Sequence, residues 1–487
     1  MSQEIRNLEP KALWNQFADL NAVPRPSKKE EQVIQFMKDF GNRLGLETFE
    51  DEIRNVIIRK PATPGMENRK PIVLQGHLDM VHQKNNDTVF DFETQGIEMY
   101  VDGDWVRAKG TTLGADNGLG VAAIMAVLES TDIPHPAIEA LFTIDEETGM
   151  TGALNLQGGI LKGQILLNLD TEEDDEIDIG CAGGIDVTAT AEYDEEDTPE
   201  GSVGYSITVK GLQGGHSGMD IHKGLGNANK IMNRLLFDGF DNFGLQIASI
   251  AGGSLRNAIP RESVAKVIIA AVYDEAFVFD MQQIVNEIKA EFKTTEPNLE
   301  IVFEKLTEVP AKVMPSIAQF YFVRSMYTAH NGVYRMSADF DNLVETSNNI
   351  AKVIVGEGQL AVQCLTRSSV ESSKMDLANA LRSAFELMGC EVEFSGAYPG
   401  WTPNPKSEIL DVLVGIYEKQ NNAKPNVVAC HAGLECGILG TNYPEMDMIS
   451  FGPTIHGAHS PDERASISSS QKFWKFFLEI LASIPAK

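Results

Sequence analysis

Three short apolar runs dictate the core of this chain. PIVLQ (71–75), AIEALFTI (137–144) and QILLNL (164–169) read as strands buried on both faces. Between the first two lies GLGVAAIMAVLES (118–130), apolar nearly all round and therefore a buried helix. Strand, helix and strand in that order predict a sheet covered by helices, an α/β fold. A further helix is expected over residues 28–44, where Val33, Phe36, Met37 and Phe40 share one side.

From about residue 187 the pattern changes. AEYDEEDTPEG (191–201) is acidic and rich in breakers, so a linker or hairpin tip is expected. YSITVKG, a helix around 224–238, LQIASIAG, VAKVIIAAV, a helix around 277–292 and LEIVFEKL follow. That order is βαββαβ, a ferredoxin-like unit. VAKVIIAAV, FDMQQIVNEIKAEF and LEIVFEKL are then echoed by QLAVQCLTRS, SKMDLANALRSAFELMG and CEVEFSG. The echo predicts a duplicated α+β insert over 187–398. After the turn-rich YPGWTPNP (398–405) come a helix (407–419), the strand MDMISFG (446–452) and a helix (469–483), a pattern like that of residues 1–186. The expected organisation is an outer domain in two segments, 1–186 and 399–487, carrying the insert.

Composition excludes several classes of partner. The 487 residues hold 40 Lys+Arg against 70 Asp+Glu, a net charge of −30. Nucleic acid or an anionic membrane surface would need a basic face, so neither is expected. No apolar run reaches the roughly 18 residues of a membrane helix. The N-terminus, MSQEIRNLEPKALW, lacks the apolar core of a secretion signal. Five scattered cysteines suit a reduced, cytoplasmic chain.

Four strand ends carry groups of metal-ligand type. GHLDMVH after PIVLQ offers His77 and Asp79, and DEETG after AIEALFTI offers Asp145, Glu146 and Glu147. QILLNL runs into Asp170, and IHGAHSPDE after MDMISFG offers His456 and His459. LGADNGLG adds Asp116 in a glycine-flanked turn ahead of the buried helix. A single Asp at a strand end is ordinarily a turn former or helix cap, and a single His a structural one. Together, at one sheet edge, these groups would repel or be desolvated without a cation among them. Ligands of His and carboxylate type, without cysteine, suit zinc, or else cobalt or manganese.

These motifs, in this order along the whole chain, resemble the cocatalytic di-zinc exopeptidase family, which includes aminoacylases and dipeptidases. The insert, with HAGLECG and NLVETSNN, is most similar to its dipeptidase members. The resemblance implies a mixed sheet flanked by helices, with an inserted lid domain of two ferredoxin-like repeats. It also implies two divalent metal ions per chain. Asp116 would bridge them, His77 and Asp170 would complete one, and Glu147 and His459 the other. Glu146 would be the general base for a metal-bridged hydroxide, and Asp79 would orient His77. A non-proline cis bond at Asp116–Asn117 is a further implication. The implied reaction is hydrolysis of unblocked dipeptides, including Xaa-His dipeptides. An N-acyl-amino-acid deacylase, an aminopeptidase on short peptides, and a non-catalytic peptide- or metal-binding relative are the alternatives.

The insert has its own candidates. His216, in KGLQGGHSGMDIHKG, is by resemblance the lid residue that stabilises the oxyanion. Asn257 and Arg367 are candidates for the substrate backbone and C-terminal carboxylate. In single-lid relatives the oxyanion histidine comes from the partner subunit. A duplicated lid would let His216 act in its own chain, without forbidding a homodimer. His222 reads as a surface residue, and His82 and His456 as supporting or structural ones. CHAGLEC (430–436) reads as a glycine loop at the substrate pocket, with Glu435 toward the substrate's amino terminus. A separate metal site at Cys430, His431 and Cys436 is the less favoured reading.

Overall fold

The three apolar runs become neighbouring strands. The structure, a computed structural model, describes residues 3–487 except Asn86, Asp341, Pro405, His431 and Ala432, with only the backbone of Gln3 and Cys430. The chain forms two units. One comprises Met1–Gly180, Trp401–Ala429 and Leu434–Lys487, the other Cys181–Gly400 with Cys430–Gly433. The breaks fall at 180/181 and 400/401, against 186/187 and 398/399 expected from the change of pattern.

The first unit is built on an eight-stranded mixed sheet. Its spatial order is Glu47–Glu50, Val56–Lys60, Ile138–Thr143, Ile72–His77, Ile165–Asn168, Asp447–Ser450, Glu176–Cys181 and Asn426–Cys430. Ile72–His77 runs parallel to both of its neighbours, and Asp447–Ser450 parallel to Ile165–Asn168. Every residue of Ile72–His77, Ile138–Thr143 and Ile165–Asn168 is buried, as parallel strands covered on both faces must be. Parallel alignment brings their C-terminal ends side by side. Each strand therefore delivers the residues that follow it to one edge of the sheet.

Helix Ala115–Glu129 is buried except at Asp116 and Glu129, in keeping with its uniform apolarity. Asp116 and Asn117 depart from helical geometry, and the bond between them is cis. A Cβ on Gly120 would stand 2.4 Å from the Leu169 carbonyl oxygen, so glycine lets this helix lie against the segment leading to Asp170. Asn117 Nδ2 donates to the same carbonyl at 2.5 Å. Helix Ile467–Ser483 buries Phe473, Phe476, Phe477, Ile480 and Leu481 at helical spacing. Its cap, Ser466, accepts the Ser469 N–H at 3.2 Å. Phe451, one residue past strand Asp447–Ser450, packs against Phe473, Phe476 and Phe477 with ring centroids 5.5–6.1 Å away. A small antiparallel sheet of Ile455–His456, Arg464–Ser466, Trp105–Ala108 and Met99–Asp102 completes this unit's strands among the described residues.

The second unit is an antiparallel sheet with its own core, to which Leu235, Phe277, Phe322 and Phe385 belong. Its order is Glu300–Lys305, Ser202–Lys210, Ser263–Ala270, Gln246–Gly252, Val344–Gly356, Gln359–Ser368, Gly183–Glu192 and Glu391–Tyr398. Gly332–Met336 also pairs with Val344–Gly356. Helices Ala228–Phe243, Asp274–Glu291, Ser316–Thr328 and Glu371–Glu386 belong to it. The acidic stretch expected as a linker or hairpin tip supplies Glu196–Asp197, paired with Lys312–Val313. The whole is a mixed α/β fold with a separate antiparallel-sheet unit. Among the described residues, no helix is long and apolar enough to cross a membrane. Cys181, Cys364, Cys390 and Cys436 are buried and outside any disulfide.

Candidate metal centre

The first unit gathers the strand-end groups. His77, at the end of its strand and 1% exposed, has Nε2 3.1 Å from Asp116 Oδ1 and 3.6 Å from Asp170 Oδ1. The second Asp116 oxygen lies 3.3 Å from His459 Nε2, which is 3.0 Å from Glu147 Oε2. Ligand-type atoms of His77, Asp116 and Asp170 thus lie within 4.8 Å of one another, as do those of Asp116, Glu147 and His459. Asp116 belongs to both groups. Glu146 joins His77 and Glu147 in a third group of the same compass.

The electrostatics are those of a site short of positive charge. Burial, then the nearby carboxylates, pushes Asp170 and Glu146 well above the usual carboxylate range, with His77 opposing. Burial also works to raise Asp116, but hydrogen bonds with His459 and His77 hold it below that range. Hydrogen bonds to Asp116 and Glu147 raise His459 to about 11. Asp170 Oδ1 is buried without a hydrogen-bond partner. Packed buried carboxylates with an orphaned oxygen are what a cation satisfies. The imidazole and carboxylate donors therefore fit a divalent metal.

Buried polar groups brace these side chains. Asp79, fully buried, has Oδ1 3.4 Å from His77 Nδ1 and accepts the N–H groups of Glu146 (3.0 Å) and Glu147 (3.3 Å). Asp145 turns the chain at φ 51 and accepts the hydroxyls of Thr148 and Thr151. Two residues before His77, Gln75 Nε2 donates to Glu435 Oε2 at 2.6 Å, which also accepts the Thr143 hydroxyl at 2.7 Å. Gln75 in turn accepts from Asn168, two residues before Asp170, and Asn168 accepts from Ser450 Oγ at 2.5 Å. Glu435, expected at a substrate's amino terminus, is fully buried, with Oε2 in this interior network and Oε1 without a partner. Burial raises its carboxyl to about 7.

The other sequence candidates separate. His456 faces Glu173 at 3.4 Å and Trp105, His82 packs on Phe92, and His222 lies exposed in a short turn. Of the proposed Cys430–His431–Cys436 cluster, His431 and the Cys430 side chain lie outside the described residues. Cys436 is fully buried. Arg25 and Glu463 are both buried beside the Asp116 turn, and although Glu463 closes the IHGAHSPDE motif, neither role is legible in the sequence, because nearly all their partners are backbone groups.

The second unit brings its own three candidates together. His216 pairs with Ala258 across a two-residue ladder, and the Ser217 N–H donates to the Asn257 carbonyl at 2.8 Å. His216 Nδ1 accepts the N–H groups of Gly218 (3.2 Å) and Met219 (3.0 Å). In the neutral ring the proton therefore sits on Nε2, which is a donor. Burial and the Arg367 charge lower the His216 pKa, favouring that neutral form. Arg367, 5% exposed, donates Nη1 to the Tyr398 hydroxyl at 2.8 Å, while its Nε is buried without a partner. Asn257 itself is exposed.

The chain is similar to known proteins. The sequence model of peptidase family M20/M25/M40 matches residues 73–483. The chain is 44% identical to the cytosol non-specific dipeptidase of Escherichia coli (strain K12) over 488 residues, covering 99% of this chain and 100% of that one. The crystal structure of aminoacylhistidine dipeptidase from Vibrio alginolyticus superposes with a TM-score of 0.96 at 45% identity, covering 100% of this chain and 99% of that one. Aminopeptidase PepT from Bacillus cereus, at 16% identity and a TM-score of 0.57 over 98% of this chain and 99% of that one, shares the fold.

Proposed function

Since this chain belongs to peptidase family M20/M25/M40, we propose that it is a cytosolic metallo-dipeptidase that hydrolyses unblocked dipeptides, Xaa-His dipeptides among them. The names of the two relatives 44–45% identical to it supply the substrate class. The observation that carries the chemistry is Asp116, shared by two groups of ligand-type side chains.

Two divalent cations, zinc or else cobalt or manganese, suit those groups. Asp116 would hold both, His77 and Asp170 one, Glu147 and His459 the other. Ions bound there supply Lewis-acid polarisation and make water more acidic. The chain does the rest. Glu146 takes a proton from the attacking water and delivers it to the leaving amine as the C–N bond breaks. A positioned base of this kind is worth about 10²–10⁴ in rate. Asp79 orients His77 and pins the turn that carries Glu146.

The donors of the second unit suit the substrate's other charges. The planar guanidinium of Arg367 matches a C-terminal carboxylate, the Nε2–H of His216 a developing oxyanion, and Asn257 the substrate backbone. We read this unit as a lid of two ferredoxin-like repeats. Ser202–Lys210, Gln246–Gly252, Ser263–Ala270 and Glu300–Lys305 form one, in spatial order 4-1-3-2. Gly183–Glu192, Val344–Gly356, Gln359–Ser368 and Glu391–Tyr398 form the other, in the same order reversed. The two second strands join the halves. One half carries His216 and the other Arg367. The test is an assay of a free dipeptide beside its N-acetyl form. Cleavage of the free form is expected, and cleavage of the blocked form alone rejects the reading in favour of a deacylase.

A further inference from the structure

Glu463 is a buried carboxylate, 2% exposed, that takes no part in the chemistry above. It follows His459 in the loop of a hairpin closed by the pairing of His456 with Arg464. Its Oε2 accepts the N–H groups of Leu113 (2.7 Å) and Gly114 (2.9 Å), and its Oε1 those of Ala115 (2.7 Å) and Asp116 (3.3 Å). A carboxylate has about four lone-pair sites, so this one is fully used on four consecutive peptides.

Arg25, 1% exposed, meets the same turn with the opposite polarity. Its Nη2 donates to the Gly114 carbonyl at 2.5 Å and to Asn21 Oδ1 at 2.9 Å. Its Nη1 donates to the carbonyls of Leu78 (3.1 Å) and Asp79 (3.0 Å), just beyond His77. Gly114 has φ 69, and a Cβ there would come within 2.6 Å of Arg25 Nη2. The turn is moulded to the guanidinium as closely as to the carboxylate.

We propose that Glu463 and Arg25 are positioning residues for the metal centre, fixing the Leu113–Asp116 turn so that Asp116 offers one oxygen toward His77 and the other toward His459. The inference rests on the metal reading of Asp116. A shared ligand faces a stricter demand than a terminal one, because a rotation of its backbone that suits one side spoils the other. Glu463 stands on the same loop as His459, so its grip on the turn also sets where that loop lies against Asp116. Stability alone gives little reason to bury such charges, since desolvation can outweigh the attraction between them. A glutamine at 463 would keep one accepting oxygen and turn an NH₂ group against two N–H donors. An aspartate would keep the charge but fall short by one methylene.

The test uses metal-depleted full-length protein, titrated with zinc by calorimetry against a competing chelator. Wild type is expected to take up two ions. Glu463→Gln is expected to lose zinc affinity by about 10–100-fold, with kcat reduced and KM for a dipeptide little changed. Glu463→Asp should fall between. Phe477→Leu, a core substitution used at temperatures well below its melting point, is expected to keep wild-type zinc affinity. That control separates positioning from general loss of stability. Wild-type zinc affinity in Glu463→Gln overturns this inference alone. A wild type that takes up no divalent ion overturns the metal reading as well. If Glu463→Gln does not fold, backbone hydrogen exchange of metal-free wild type decides. The amides of Leu113, Gly114 and Ala115 should exchange slowly, and exchange at the rate of an open loop overturns the proposal.

Discussion

His459 holds φ 64 and Asp145 φ 51, both in the left-handed region that side chains other than glycine seldom occupy. Such positions cost about 1–3 kcal/mol each and persist where the surroundings over-determine them. Here one aims an imidazole at Asp116, and the other starts the turn that presents Glu146 and Glu147. Glu146→Ala should retain both metals by elemental analysis while losing about 10²–10⁴ of turnover. Near-normal kcat in the metal-loaded variant would reject Glu146 as the base. Arg367→Ala should raise KM for free dipeptides about 10- to 100-fold, the equivalent of a charge-assisted hydrogen bond. A C-terminally amidated dipeptide should be little affected, and an equal loss on both substrates would remove the carboxylate role. The metal-type side chains are legible in the sequence because imidazoles and carboxylates declare their chemistry at strand ends. Arg25 and Glu463 are not, because they act on peptide groups and every residue supplies those.

At the scale of elements, the parallel register does the organising. Gln75 stands opposite Asn168, and Asn168 opposite Ser450, so three neighbouring strands share one polar row two residues below His77 and Asp170. Glu435, at the start of helix Glu435–Asn442, closes that row. Burial raises its folded pKa to about 7 from an ordinary value of 4.5. A folded state that holds the proton more tightly is favoured at low pH. Its contribution is full below about pH 4.5 and is lost as pH rises through about 7. Metal-free wild type should therefore lose stability relative to Glu435→Gln across that interval, measured as denaturant midpoints. Parallel midpoint curves for the two proteins would mean that this carboxyl does not titrate there. The strands PIVLQ, AIEALFTI and QILLNL and the helix after Asp116 can be read from apolar pattern alone. Strand Asn426–Cys430, helix Ser316–Thr328 and strand Gly332–Met336 also hold apolar residues, but without a stripe or alternation that fixes their type, and their places depend on distant partners.

At the scale of the whole molecule, two cores with separate sheets should answer differently to metal removal. Chelation uncovers the repulsion among Asp116, Glu146, Glu147 and Asp170, all in the first unit. Hydrogen exchange should then accelerate around residues 72–80 and 111–119 and change little in strands Ser202–Lys210 and Ser263–Ala270. Equal acceleration in both units would show that the ions stabilise more than their own core. The chain's path has a consequence for how the protein is made. The strand Asp447–Ser450 sits inside the first sheet, between Ile165–Asn168 and Glu176–Cys181, yet in sequence it follows every strand of the large antiparallel sheet. His459 and Glu463 follow it. A ribosome-bound nascent chain thus holds every strand of the large antiparallel sheet before it holds His459, and the metal centre cannot assemble until that residue has been added.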